Sequence, residues 1–249
     1  MTSDETTRWI RRLKPVGDPA VRLICFHHAG GSASSFATFA RRLDDSIEVL
    51  AIQSPGRQER RNEPCLHSVS ELVTAAFPAV RAQTDRPIAL FGHSLGAIVA
   101  FEVARMLEAT RVAPRIVFVS GRRAPATRRA ESVHRLSDAG ILAELRMLGG
   151  PGIQFFDDED VAGEFLPSIR SDYTAIETYR CEPDARLNCP VTALIGDHDP
   201  CVTLDEARRW RGHTKADFDL RVFAGGHFYL YDQLDAVAEI VGRQLLSDL

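Results

Sequence analysis

No apolar run in this chain of 249 residues approaches the ~20 residues needed to span a membrane. The stretch from Met1 to Thr7 is polar and lacks the apolar segment of a signal peptide. Cysteine is sparse. Cys25, Cys65, Cys181, Cys189 and Cys201 are odd in number and form no C-x-x-C pair. That excludes a fully paired disulfide framework and a zinc ribbon, and suits a reducing compartment. Cys25 lies in an apolar run and reads as a small buried hydrophobe. Positive charge is also short: 30 Lys and Arg against 34 Asp and Glu give a net charge of −4. No global field therefore favours nucleic acid. Internal repeats and low-complexity segments are missing too. The expectation is a cytoplasmic protein, probing neither membrane nor nucleic acid, with no metal, and monomeric.

What is present is ordinary for a globular enzyme. Hydrophobic residues make up 45% and charged residues 26%, and the length allows one large domain with a substantial core. Short apolar runs alternate with helical patterns. Strands are expected at Val21–Phe26, Ile47–Ile52, Ile88–Phe91, Arg115–Ser120, Val191–Ile195 and Asp219–Phe223. Helices are expected at Ala33–Leu43, Val69–Gln83, Leu95–Leu107 and Leu230–Leu246, with Pro78 bending or interrupting the second. Nearly continuous apolar strands between helices predict an α/β fold, with a mostly parallel sheet covered on both faces. From residue 122 to 182 no strand is evident. Helical patches at Asp138–Leu148 and Asp158–Tyr179 flank Gly149-Gly150-Pro151-Gly152. The chain thus divides into a core of residues 1–121 and 183–249 and a helical insertion. The insertion is either a packing layer or, as favoured here, a lid over an apolar channel, with Leu145, Phe155 and Phe156 as candidate lining.

The chemistry centres on Gly92-His93-Ser94-Leu95-Gly96. G-x-S-x-G alone occurs in many unrelated chains, but here an apolar strand precedes it and a helical pattern follows. That is the context of a nucleophile elbow, in which a strained serine is exposed above a sheet edge. A serine needs a base, and the base an orienting acid, in the chain order serine, acid, histidine. His227, in the glycine-flanked loop after the last strand, fits the base. His134 falls in the insertion, and His213 sits in a polar stretch that reads as surface. Asp197 and Asp199 share the loop after Val191–Ile195, and spacing does not choose between them. The oxyanion donors are expected to be the N–H of Leu95 and that of Ala29, in the loop His27-His28-Ala29-Gly30-Gly31-Ser32. His28 is expected to support that loop by hydrogen bonding. A phosphate loop is the competing reading, but it lacks both the lysine and the G-x-G-x-x-G spacing.

These segments together resemble the type II thioesterases of polyketide and nonribosomal peptide synthesis, stand-alone α/β-hydrolases. The resemblance rests on Phe26 to Ala33, Gln53-Ser54-Pro55-Gly56-Arg57, Phe91 to Gly96, Leu166-Pro167, Glu177-Thr178-Tyr179, Gly196 to Pro200 and Gly225 to Phe228. It covers nearly the whole chain. It implies that Asp199, the aspartate before proline, is the acid of a Ser94–His227–Asp199 triad. It also implies a substrate: an acyl group on the phosphopantetheine arm of an acyl or peptidyl carrier protein, hydrolysed to clear stalled or aberrant chains. The substrate brings the phosphopantetheine, and the enzyme itself needs no cofactor. Two departures, His27 where the family usually has proline and Ser54 where a larger residue is common, bear on chain-length preference. Rival readings are a carboxylesterase or lipase, an acyltransferase, and a non-catalytic carrier-binding module. Because carrier proteins are acidic, the basic positions Arg57, Arg60, Arg61, Arg122 and Arg123 are docking candidates. Each basic cluster, Arg41-Arg42 and Arg128-Arg129 included, also reads as an ordinary solvated face.

Overall fold

The computed structural model describes residues 8–150 and 152–247. The polar start from Met1 to Thr7 and Pro151 of the glycine-rich break lie outside the described residues. Seven strands form one sheet in the order β1-β3-β2-β4-β5-β6-β7. They are β1 (Ile10–Lys14), β2 (Val21–Phe26), β3 (Ile47–Ile52), β4 (Ile88–His93), β5 (Val117–Ser120), β6 (Val191–Gly196) and β7 (Phe218–Phe223). All neighbours pair in parallel except β1, which runs antiparallel to β3. β1 is absent from the sequence expectations. Its IRRLK pattern has two arginines and a lysine, because it is an edge strand whose charged side chains reach the rim.

The helices are α1 (Ala37–Ala40), α2 (Val69–Arg81), α3 (Leu95–Ala109), α4 (Asp138–Leu148), α5 (Glu159–Thr178), α6 (Leu204–Arg208), α7 (Tyr229–Asp232) and α8 (Leu234–Leu246). Alternate residues of the central strand feed two cores. Ile88 and Leu90 join α2 and α3 on one face, whereas Ala89 and Phe91 join Phe36, Phe39, Tyr229 and α8 on the other. This two-sided burial explains the continuous apolar strands. The topology and the helices on both faces make this an α/β-hydrolase fold. No helix among the described residues is long and apolar enough to cross a membrane.

Three expected elements differ. The Ala33–Leu43 helix is only a 3₁₀ turn, Ala33–Phe36, followed by the single turn of α1. The closing helix is split into α7 and α8. Pro78 does not interrupt α2, which runs to Arg81. Pro78 and Thr74 are both exposed, so the carbonyl that loses its helical donor faces solvent, where water can satisfy it. A capping box of Ser68 and Glu71 holds the other end of α2.

Between β5 and β6 the insertion supplies α4 and α5. Ile141, Ala162, Leu166 and Ile169 form its small core. It packs onto loops at the carboxyl ends of the strands. A Cβ added at Gly30 would lie 2.7 Å from the Ile169 side chain, and one at Gly150 2.9 Å from the Phe228 ring.

Candidate active site

Order along the sheet explains where the site lies. The chain builds β2 and β3 toward one edge and β4 to β7 toward the other, so the direction reverses between β2 and β4. Ligands of open α/β sheets bind at such a crevice, beyond the carboxyl ends of the strands. Phe26 and Gly92 are paired across it. The loop after β2 and the turn after β4 are therefore adjacent.

Ser94 follows β4 and precedes α3 with φ 56° and ψ −116°. A non-glycine residue in that region is strained and persists only where its surroundings fix it. Two close approaches fix this one. A Cβ at Gly92 would fall 2.0 Å from the Gly96 carbonyl oxygen, and one at Gly96 would fall 2.0 Å from that of Phe26. Both motif glycines are thus required for β4, α3 and β2 to meet, and Ser94 is left half-buried rather than sealed.

His227 and Asp199 meet 28 residues apart in sequence. His227 Nδ1 lies 3.0 and 2.9 Å from the two Asp199 carboxylate oxygens, and both residues are buried. Burial works against the imidazolium, but the hydrogen bond to Asp199 and the nearby Cys201 outweigh it, so the His227 pKa is raised. Asp197, the competing carboxylate, is exposed and instead orders the turn. It accepts the Gly225 N–H at 2.9 Å and pairs with His198 at 2.7 Å. Among the described residues no hydrogen bond joins Ser94 Oγ to His227 Nε2. The elbow and the base are nevertheless neighbours: the His93 and His227 ring centroids are 5.2 Å apart. His93 is buried, with Nδ1 2.8 Å from Ser120 Oγ, which contacts Tyr229 Oη at 2.6 Å. Burial, with His227 and His28 nearby, drives the His93 pKa well below the usual range, so its ring adds no charge beside the base.

Among the described residues, neither the Leu95 nor the Ala29 N–H is taken up by a turn or loop hydrogen bond. The Gly30 N–H is already used, donating to Asp172 Oδ2 at 2.8 Å. Asp172 lies on α5 and has no sequence signal that marks it. Its carboxylate takes two hydrogen bonds from Arg57, at 2.8 and 3.1 Å, and Arg57 also donates to the Gly31 carbonyl at 2.9 Å. This buried pair ties the glycine loop to the Pro55-Gly56-Arg57 segment and to the insertion. A bidentate Arg–carboxylate contact suits that task, because it fixes orientation as well as distance.

Several expectations need correction. Arg57 is only 5% exposed and Arg60 only 7%, so neither offers a docking surface. Arg60 is held by the Gln53 carbonyl at 2.7 Å and by Glu63, with its guanidinium 4.5 Å over Trp9. Arg123 is likewise buried, pairing with Glu131 and with the Cys201 carbonyl. Arg61 is exposed. Arg122 is half-buried beside a separate cavity. His28 supports its loop through its backbone: its carbonyl accepts the Gly31 N–H, whereas its ring packs edge-on against His93 and Phe228. His27 is the side chain that bonds, with Nδ1 2.9 Å from the His28 carbonyl and Nε2 2.9 Å from Ser54 Oγ. The two positions that depart from the family pattern therefore contact each other. His213 is buried, not at the surface, with Nδ1 2.9 Å from the Ala185 carbonyl and its ring against Trp210 and Phe101. His134 pairs with Glu177 inside the insertion.

A cavity of about 70 Å³ opens beside the glycine loop, between Ala29, His28, Leu145, Phe156, Ile169 and Phe228. Leu145 and Phe156, two of the expected channel residues, both line it. Phe155 does not line this cavity and is 65% exposed. For a metal, the described residues offer one three-donor group, Asp199, Cys201 and His227, within 4.8 Å of one another. An ion there would take a nitrogen of His227, either the Nδ1 that Asp199 holds or the Nε2 a base needs, so metal ligation and acid–base use of His227 exclude one another.

The family model described as "Thioesterase domain" matches residues 21–245. Thioesterase PikA5 of Streptomyces venezuelae is 49% identical over 241 residues, 96% of this chain and 85% of that protein. The probable cadicidin biosynthesis thioesterase of Streptomyces griseus is 47% identical over 99% of this chain and 69% of that protein. Among solved structures, the type II thioesterase BorB from the borrelidin biosynthetic cluster superposes with a TM-score of 0.90 at 47% identity, covering 96% of this chain and 98% of that one. YbtT, a type II thioesterase from the yersiniabactin pathway, gives 0.86 at 30% identity, covering 95% and 98%. With the domain matched almost end to end, a sheet of this topology and relatives at this identity, the chain belongs to the thioesterase family and is an α/β-hydrolase that cleaves thioesters.

Proposed function

We propose that the protein is a type II editing thioesterase, releasing acyl groups from the phosphopantetheine arm of acyl or peptidyl carrier proteins in polyketide or nonribosomal peptide synthesis. The observation that carries the site assignment is the buried His227–Asp199 contact beside a serine held at positive φ. Ser94 Oγ attacks the thioester carbonyl carbon and its proton passes to His227 Nε2. The oxyanion takes hydrogen bonds from the Leu95 and Ala29 N–H groups. Collapse breaks the C–S bond, and His227 returns the proton to the departing thiolate. Water then attacks the acyl-enzyme, giving its proton to His227, and Ser94 leaves with that proton as the free acid forms. Asp199 keeps the His227 tautomer and offsets the charge of the imidazolium. Leu145 and Phe156 line the side of the site that an acyl chain enters. Similarity to PikA5, BorB and YbtT supports the choice of carrier-bound substrates.

The test pairs two measurements. A fluorophosphonate is expected to label the wild-type chain at Ser94, and Ser94→Ala to abolish both labelling and turnover, a loss on the order of 10⁶-fold. Comparison of kcat/KM for acyl-pantetheine thioesters with matched oxygen esters is expected to favour the thioester. Retained hydrolysis by Ser94→Ala removes the serine mechanism, and an oxygen-ester preference replaces the thioesterase reading with an esterase.

A further inference from the structure

A second cavity, of about 60 Å³, lies where the chain leaves β5 and shares no lining residue with the apolar one. A single water needs only ~10–15 Å³ of such space, so there is room for a polyatomic ion. Ile98, one turn beyond Ser94 on α3, forms part of its wall, with Ile176 of α5 opposite. Five arginines, Arg122, Arg123, Arg128, Arg129 and Arg180, also line it, against two acids, Glu131 and Glu177.

The acids are already committed. Glu131 pairs with Arg123, and Glu177 accepts the Val133 and His134 N–H groups and the His134 ring. Arg129 is bound to Glu206, and Arg180 donates to the Glu177 and Tyr179 carbonyls. That leaves two cations. The side chains of Arg122 and Arg128 have no hydrogen-bond or ion-pair partner among the described residues, and Arg122 Nε is buried with none. A buried donor left unmade costs about 1–3 kcal/mol. Burial and the neighbouring Arg123 also push the Arg122 pKa down, to about 10. Glu131 and Cys201 offset part of the electrostatic penalty, and an anion in the cavity would relieve both.

We propose that this cavity is an oxyanion-binding site with Arg122 as its principal ligand and Arg128 at its mouth. It would take a phosphate or carboxylate belonging to the substrate assembly. This deepens the thioesterase reading and rests on it. The chemistry has two sources, the phosphodiester of the pantetheine arm or a carboxylate of the acidic carrier protein, and the assay separates them.

Binding is read first with inorganic phosphate, against chloride at equal ionic strength. Ligation raises the unfolding temperature of the native chain. Arg122→Gln is expected to lose that rise, and exposed Arg128→Gln, which disturbs no packing, to weaken it. Acyl-pantetheine, acyl-phosphopantetheine and acyl-carrier substrates are then compared. A charge-assisted contact predicts roughly tenfold higher kcat/KM for whichever substrate first supplies the anion. That advantage should vanish in Arg122→Gln while hydrolysis of acyl-pantetheine persists. An advantage first seen with phosphopantetheine identifies the phosphate. One first seen with the carrier identifies a carboxylate. The proposal is overturned if phosphate stabilises Arg122→Gln as much as wild type, or if the substrate ratios are the same in both. Failure of the wild type to hydrolyse any of the three thioesters would instead overturn the thioesterase reading.

Discussion

The nucleophile elbow and the helical insertion meet at one site, yet they are held by different means. Around Ser94, backbone touches backbone: Gly92 against Gly96, Gly96 against Phe26, with every residue of β4 buried. The insertion's own small core holds four buried apolar residues, Ile141, Ala162, Leu166 and Ile169, and the insertion leaves Met147 62% and Phe155 65% exposed. The difference separates chemistry from specificity. Strain at a nucleophile survives only in a rigid setting, whereas a wall that must admit different chains can be lightly packed. Asp172 joins the two, because it lies on α5 of the insertion and holds both Arg57 and the glycine loop.

The largest expected effect tests the rigid half. Asp199→Asn should leave the fold intact and reduce kcat by about 10⁴-fold, since the base loses its tautomer and its counter-charge. The sign of the pH effect is fixed as well. His227 accepts a proton only when neutral, and Asp199 raises its pKa, so wild-type kcat/KM should climb with pH beyond the ordinary histidine range. In Asp199→Asn that rise should move to lower pH. An unmoved profile would show that Asp199 does not govern His227.

The joint between the halves comes next. Asp172→Ala leaves Arg57 buried without its partner, which should cost about 3–5 kcal/mol in urea unfolding. Replacing both with apolar residues of similar volume should restore most of that stability. If kcat nevertheless stays low in the double variant, the pair positions the glycine loop in addition to stabilising the chain. If the single variant unfolds like wild type, the loop is held by something else and the contrast between the regions weakens.

The smallest effect concerns the insertion. Phe156→Ala should alter the preference between acyl chains differing in length by about 1–3 kcal/mol in relative kcat/KM. Phe155→Ser, at an exposed position, should change stability by no more than ~0.5 kcal/mol and leave the preference alone. Equal effects of the two would remove the cavity from the account of specificity.

Much of this was legible because it is local. Strand and helix periods, the two glycines flanking Ser94 and the chain order of Ser94, Asp199 and His227 are written in short windows, and a strained turn admits few residue types. The choice between Asp197 and Asp199 needs more than spacing, since both occupy one loop; the family resemblance favours Asp199, and the fold places its carboxylate on His227. Edge strand β1 is not legible in the sequence because its charged residues hide the alternation. The glycine loop's support is hidden for a different reason: Arg57 and Asp172 are 115 positions apart, and nothing near either one signals the other.

The sequence by itself determined the α/β class, the nucleophile turn and the order of the reacting groups, since each follows from backbone conformation over a few residues. Only the tertiary structure decided which charges are spent and which are free. Arg57 and Arg60 are sealed in ion pairs, while Arg122 lines a cavity with no hydrogen-bond or ion-pair partner among the described residues. The reason is desolvation. A charge in the sequence carries no record of its burial, and burial is what turns an arginine from a solvated side chain into a clamp or a binding site.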